Sequence, residues 1–198
     1  MQIDVSDAVK KLSNLTDQLS DYRVGLAIAR GINHTLARAK TDAKNQIQSV
    51  YNIKTAAVSK ALEIEKASRH TLTGKLEVSG KPISISGFSA AARPYQTKRG
   101  VSVSILKGKR KIIKSAFMIK GTKTVRARGE YQGNRFAFRH KRIVKEGMDF
   151  PIPQLMTTSV PAAFQSPKVY DTIIKKIETA LPKRLEHELK FMLKGGGS

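Results

Sequence analysis

Apolar residues recur at helical steps as far as Ala67, and from Thr71 the period changes to two, before helical steps return after Pro167. This change of period constrains the fold more than any other feature of the chain. The first part reads as helices and the middle as half-buried antiparallel strands. A sheet with one apolar face needs a cover, and the long helices on either side of it are the covers available. The expected class is α+β: N-terminal helices, a central antiparallel sheet of short strands, and a long C-terminal helix kinked at Pro182.

The spacing of Val5, Ala8, Val9, Leu12, Leu15 and Leu19 predicts a short amphipathic helix over 5–19. Asp21 can cap a longer one over 22–50, where Ile28, Ile32, Leu36, Ala39, Ala43, Ile47 and Val50 recur at steps of four, four and three. That eleven-residue repeat tracks a straight or slightly right-wound helix of about 40 Å. Gly31 costs it roughly 1 kcal/mol against Ala and marks a close neighbour. Ala27, Ala29, Ala37, Ala39 and Ala43 ask for close packing, against either the same chain or another subunit. Asn52 can end this helix, and Thr55 can cap a second over 56–67 with Val58 inward. The run VYNIKTAAVSKALE superficially resembles a helix-turn-helix with Asn52 at the turn. Gln48 is long where that motif wants a small residue, and no compact three-helix unit surrounds it, which argues against sequence-specific DNA reading.

In the strand region Leu72, Leu76 and Val78 alternate with polar residues, as do Ile83 with Ile85 and Val101, Val103 with Ile105. Gly80, Pro82, Gly87, Pro94, Gly100 and Gly108 punctuate them. The stretch 115–164 organises the rest: SAFMIKGTKTV, then GNRFAFRHKR, then FPIPQLMTTSVPAAF. Phe136 and Phe138 alternate between Arg135 and Arg139, which gives one packing face and one basic face. Phe150, Pro151, Ile152 and Pro153 form an extended crossing. Ser159 and Pro161 read as an N-cap and first turn, and Pro167 opens the last helix. There Val169, Ile173, Ile177, Leu181, Leu185, Leu189 and Leu193 fall every four residues, and Pro182 should kink or split the ladder. One domain over 1–194 is expected, in three consecutive parts: helical (1–70), basic β (71–147), crossing and helix (148–194). Residues 195–198, Gly-Gly-Gly-Ser, read as a flexible tail.

Charge enters where function does. The formal net charge is +22, from 37 Lys and Arg against 15 Asp and Glu. Such a chain repels itself unless an anionic partner neutralises it. Between Val78 and Gly129 there is no Asp or Glu. Lys81 and Arg93 lie in that span with the candidate DNA contacts Lys98, Arg99, Lys107, Lys109, Arg110, Lys111, Lys114, Lys120, Lys123, Arg126 and Arg128. A solvated hairpin tip would explain 107–111 alone. A whole region without counter-charges points to phosphate backbone. Flexible lysines and few exposed aromatic platforms favour phosphate contacts over base stacking, with Phe136 and Phe138 in the core. Ile28, Ile32 and Leu36 on the first long helix, and Leu185 and Leu189 on the last, are the candidate oligomer or partner contacts.

No Cys is present, which removes disulfides, thiolate chemistry and Cys-based zinc sites. The start lacks a secretory pattern, and no segment approaches the ~20 apolar residues that span a bilayer, so a soluble protein made in a cytoplasm is expected. His34, His70, His140 and His187 are scattered. Gly80-Lys81-Pro82 and Gly121-Thr122-Lys123-Thr124 are not NTPase phosphate loops, and no Gly-x-Ser-x-Gly elbow occurs. Glu63 and Glu65, two apart on a helix, would diverge. No enzyme activity, cofactor or metal is expected.

The chain resembles the minor tail protein Z family of long-tailed bacteriophages, the tail completion proteins. The likeness runs from AIARGINHTLARA through LEVSGKPISISGF and the basic hairpins to SAFMI, GNRFAFRHKR and FPIPQLMTTSVPAAF, and is clearest in LPKRLEHELKFMLK. It rests on order and pattern, without a catalytic signature. The resemblance implies a structural virion protein, assembled in the host cytoplasm, that completes the head-proximal end of the tail and takes part in head-tail joining. It further implies a homo-oligomeric ring, with six copies suggested by symmetry at the neck. Its implied neighbours are the tail tube, the tail terminator and the leading end of the genome DNA, with no membrane. The competing expectation is a cellular protein that binds nucleic acid without reading its sequence.

Overall fold

The structure is a computed structural model that describes residues 2–3, 20–89, 94–114, 116–118, 125–127 and 155–194. The expected helix over 5–19, the Phe136/Phe138 strand, the crossing at 150–153 and the tail at 195–198 lie outside the described residues. The class is α+β, with helices first, small antiparallel sheets of short strands, and a long C-terminal helix. Expected as three consecutive parts, the chain instead gathers into two compact units interleaved along the sequence. One takes 1–47, 55–80 and 160–198; the other takes 48–54 and 81–159.

The helical unit is built on α1 (Asp21–Val50), whose residues up to Ile47 belong to it. The Ser20 carbonyl accepts the first helical bond from the Val24 N–H at 3.0 Å, so Ser20 is the cap and Asp21 lies in the first turn. Ile28, Ile32, Leu36, Ala39, Ala43 and Ile47 are all buried, as the four-four-three repeat requires; Ala37 is exposed. The last helix, α4 (Pro167–Leu193), runs antiparallel along α1. The Gln46 amide donates to the Lys168 carbonyl at 3.2 Å, and Lys176 pairs with Asp42 at 3.1 Å. Nearer the start of α1, Gly31 lies against Leu185, and Ala27 against Leu189 and Met192. A Cβ on Gly31 would sit 2.7 Å from Leu185 Cδ2, so the close neighbour expected at this glycine is α4 of the same chain.

The chain enters α4 through α3 (Val160–Phe164) and an extended Ser166 at its N-cap, with Pro167 in the first turn. The helix is not split at Pro182. That residue lies on the exposed face, where water can satisfy the Glu178 carbonyl that loses its N–H partner.

The second helix is shorter than expected. α2 (Thr55–Ala61) stops at Ala61, and residues 62–65 form β2 (Leu62–Glu65), which pairs antiparallel with β3 (Gly74–Val78). The Leu-Glu-Ile-Glu run satisfies a period of two as well as helical propensity. Pairing with β3, which buries Leu62 and Leu76, overrides propensity. Asn33 of α1 then closes the loop after β2 like a short strand: its Nδ2 donates to the Ala67 carbonyl at 2.9 Å, and its Oδ1 accepts from the Ala67 N–H at 2.8 Å. A Cβ on Gly74 would meet Leu36 Cδ1 at 2.5 Å, so the sheet touches α1 directly there. β1 (Gln2–Ile3) adds a third strand beside β3. Glu63 and Glu65 therefore do not diverge: on a strand they share one face, Glu63 opposite Glu77 and Glu65 opposite Lys75.

In the β unit, β4 (Tyr95–Thr97), β5 (Gly100–Val103) and β6 (Lys111–Lys114) form an antiparallel meander, and β7 (Ala116–Met118) pairs with β8 (Val125–Ala127). Val101, Val103 and Ile113 pack with Ala116, Leu155 and Ile85 in the core. The expected strand at Ile83 and Ile85 is an extended pair with 155–158. The Thr157 N–H donates to the Ile83 carbonyl at 2.8 Å before a single 3-10 turn, Ile85–Gly87. The one central sheet of the sequence expectation is thus several small ones.

Candidate nucleic-acid interface

The β4–β5–β6 meander positions seven of the eight candidate DNA contacts that fall among the described residues. Its register sorts side chains into two faces. Gln96, Val101 and Ile113 form one row, and Tyr95, Ser102 and Ile112 form the other. The Val101 row is the one that packs inward, which turns the Tyr95 row outward. Tyr95 is 52% exposed and Ile112 49%.

Arg110, two residues before Ile112 on the same face, lies over this row. Its guanidinium carbon is 4.9 Å from the Tyr95 ring centroid, and its Nη1 donates to Ser102 Oγ at 3.3 Å. The cations lie around the row. Lys98 and Arg99 form the two-residue turn between β4 and β5, and Lys114 stands opposite Gly100 beside that turn. At the other end of the meander, Lys107 and Lys109 flank Gly108, and Lys111 stands opposite Val103. All seven cations, Arg110 included, are exposed.

A glycine and a set of hydrogen bonds hold these turns in place. Gly108 has φ +71°, a left-handed conformation that Gly adopts without strain. Beneath the same tip, buried Asn52 and Ser104 form a knot. Asn52 Nδ2 donates to the Ser104 carbonyl at 3.0 Å and to its Oγ at 3.2 Å. The Ser104 hydroxyl lies 3.2 Å from both the Leu106 and Lys109 carbonyls, to which its one proton can donate. The Lys107 N–H donates to the Val50 carbonyl at 2.9 Å. At the opposite turn, Thr97 Oγ1 donates to the Gly100 carbonyl at 2.7 Å.

Among the described residues there are four ion pairs: Lys75–Glu65, Lys176–Asp42, Arg184–Glu188 and Lys190–Glu186. All four belong to the helical unit. None of the meander's cations pairs with a carboxylate among the described residues, whereas four cations of the helical unit do. A groove of about 660 Å³ between α1 and α4, lined in part by Arg38, Lys175, Lys176 and Lys183, illustrates the difference, since Asp42 sits in it and pairs with Lys176.

Of the sequence-expected DNA contacts, the structure brings together Lys98, Arg99, Lys107, Lys109, Arg110, Lys111 and Lys114 on one meander. Arg126 lies on β8 opposite Phe117, and Lys120, Lys123 and Arg128 lie outside the described residues. The expected oligomer contacts Ile28, Ile32, Leu36, Leu185 and Leu189 are a correction. All five are buried within the chain's own helical unit, their apolar surface already covered between α1, α4 and the β2–β3 sheet.

Sequence reasoning also missed the exposed aromatic. Tyr95 was hidden by the expectation of few stacking platforms. The sequence signal for an exposed apolar side chain on this face was the consecutive pair Ile112-Ile113, since adjacent strand residues point to opposite faces and one of two isoleucines must face outward. Among the described residues, no helix is long and apolar enough to cross a membrane, and no cluster of three metal-ligating side chains occurs. No family model, curated protein or solved structure matches the chain.

Proposed function

We propose that the chain is a structural virion protein completing the head-proximal end of a long-tailed phage tail, with its basic β unit lying against genome DNA. The single observation that carries the DNA contact is the meander: seven exposed cations on a hydrogen-bonded scaffold, none ion-paired among the described residues. Lysines and arginines so arranged neutralise phosphates by releasing counterions and read no sequence. The tail assignment rests on the resemblance over most of the chain, from AIARGINHTLARA to LPKRLEHELKFMLK. With Ile28, Leu36 and Leu185 committed to the chain's own core, ring contacts between copies and contacts to the tail tube and terminator belong to other, exposed surfaces.

Two measurements test the two halves. The affinity for a DNA duplex should fall steeply with salt, and the combined substitutions Lys107→Gln, Lys109→Gln and Lys111→Gln should flatten the log–log slope by up to about 2.7, at ~0.9 per phosphate contact. A flat salt response of the unsubstituted protein removes the DNA role. Negative-stain images of the protein mixed with tails should show decoration at one tail end. Tight binding of free nucleic acid by a monomer or dimer, with no decorated ends, supports the cellular nucleic-acid protein instead.

A further inference from the structure

We infer that the outer face of the β4–β5–β6 meander also stacks unpaired bases, so that single-stranded DNA gains a contact there that duplex DNA lacks. This deepens the proposed function and rests on it for the anionic nature of the ligand. Phosphate binding alone explains the lysines and leaves Tyr95 and Ile112 unexplained. A half-exposed Tyr and a half-exposed Ile stand on the two strands that flank Ser102, in one cross-strand row. Water-exposed apolar surface at the centre of a cationic field marks a contact surface.

The chemistry of that surface selects its ligand. Arg110 is held by the Tyr95 ring, 4.9 Å from its guanidinium carbon, and by Ser102 Oγ, so its guanidinium is positioned before anything binds. A planar cation over an aromatic ring, next to an aliphatic side chain, offers flat, sequence-tolerant area for base faces. In a duplex those faces are hidden in the stack, and only backbone and groove edges could reach Tyr95. The cations complete the pattern. Lys98, Arg99 and Lys114 flank the row on one side and Lys107 and Lys109 on the other, which lets a backbone run past the bases with its phosphates neutralised on both sides.

The test is fluorescence anisotropy of the full chain at fixed salt with three probes: a short oligo-dT, an abasic oligomer of the same length and charge, and a duplex. Oligo-dT should bind about tenfold tighter than the abasic oligomer, the scale of one stacked base. Tyr95→Ala should erase that preference while leaving duplex affinity within about twofold, and Tyr95→Phe should retain it. Circular dichroism of both variants confirms that the sheet is intact. Equal affinity for oligo-dT and the abasic oligomer, or a preference for oligo-dT that survives Tyr95→Ala, overturns the stacking site. Salt-sensitive duplex binding would then still uphold the proposed function. Failure of the unsubstituted protein to bind any of the three probes overturns both.

Discussion

Asn52 does more than end a helix. It is only 7% exposed, and its bonds reach the β unit from every side. Its N–H donates to the Ile105 carbonyl at 2.9 Å, its carbonyl accepts from the Ser89 N–H at 2.9 Å, and its side chain ties down Ser104. Asn52→Ala should cost about 1–3 kcal/mol in urea unfolding, because it leaves the buried Ser104 groups short of a donor. It should also weaken DNA binding, since the turn bearing Lys107 and Lys109 is anchored through Ser104. A variant as stable as the parent would show that the knot holds nothing. Gly100 makes a similar argument from the backbone. Its φ is +141°, and a Cβ there would lie 2.0 Å from the Ile113 carbonyl oxygen, so Gly100→Ala should destabilise by roughly 1–3 kcal/mol. The turn-forming character of both residues was legible in the sequence. Their partners were not, because Ser104 and Ile113 are brought to them by strand register rather than by local pattern.

At the scale of elements, α1 and α4 were legible almost to the residue, since each carries a long apolar stripe that only a helix can bury on one side. α2 was not, since Ala-Leu-Glu-Ile-Glu suits a helix and a strand equally and the decision belongs to β3. The stripes themselves were ambiguous between a core and a subunit contact, and burial resolves them. Leu185→Ala should cost about 2–5 kcal/mol of folding stability, the usual cost of emptying a packed Leu site. If Leu185 instead served another subunit, the same change would alter the sedimentation coefficient and leave the unfolding of the monomer unchanged.

A smaller effect belongs to the exposed flank of α4. Lys190 donates to Glu186 one turn away at 2.5 Å, and that hydrogen bond, then its charge, hold the Glu186 carboxyl below the ordinary carboxylate range. A folded pKa below the unfolded one stabilises at pH above the unfolded value, and that stabilisation is lost as pH falls through the folded value. Glu186→Gln should therefore be slightly less stable than the parent at neutral pH, with the difference vanishing in acid. A difference that grows on acidification would contradict the pairing.

On the scale of the whole molecule, the charge asymmetry was legible and the division into two units was not. The span from Val78 to Gly129 announces itself by lacking carboxylates, but residues 48–54 join the β unit through backbone bonds from Val50 and Asn52 to residues near the tip. The asymmetry makes opposite demands on the free and the bound protein. Free, a chain of net charge +22 repels itself, so added chloride salt should raise its melting temperature by screening. Bound to DNA at about 100 times Kd, it gains about 2.7 kcal/mol by mass action, which for a chain of this size is a rise of roughly 5–10 °C. That gain should shrink as the same salt weakens binding. Melting curves taken with and without oligonucleotide across a salt series should therefore converge from opposite directions. If the meander's cations were only solvated charges, both series would rise in parallel, because salt would relieve self-repulsion and have no complex to dissociate.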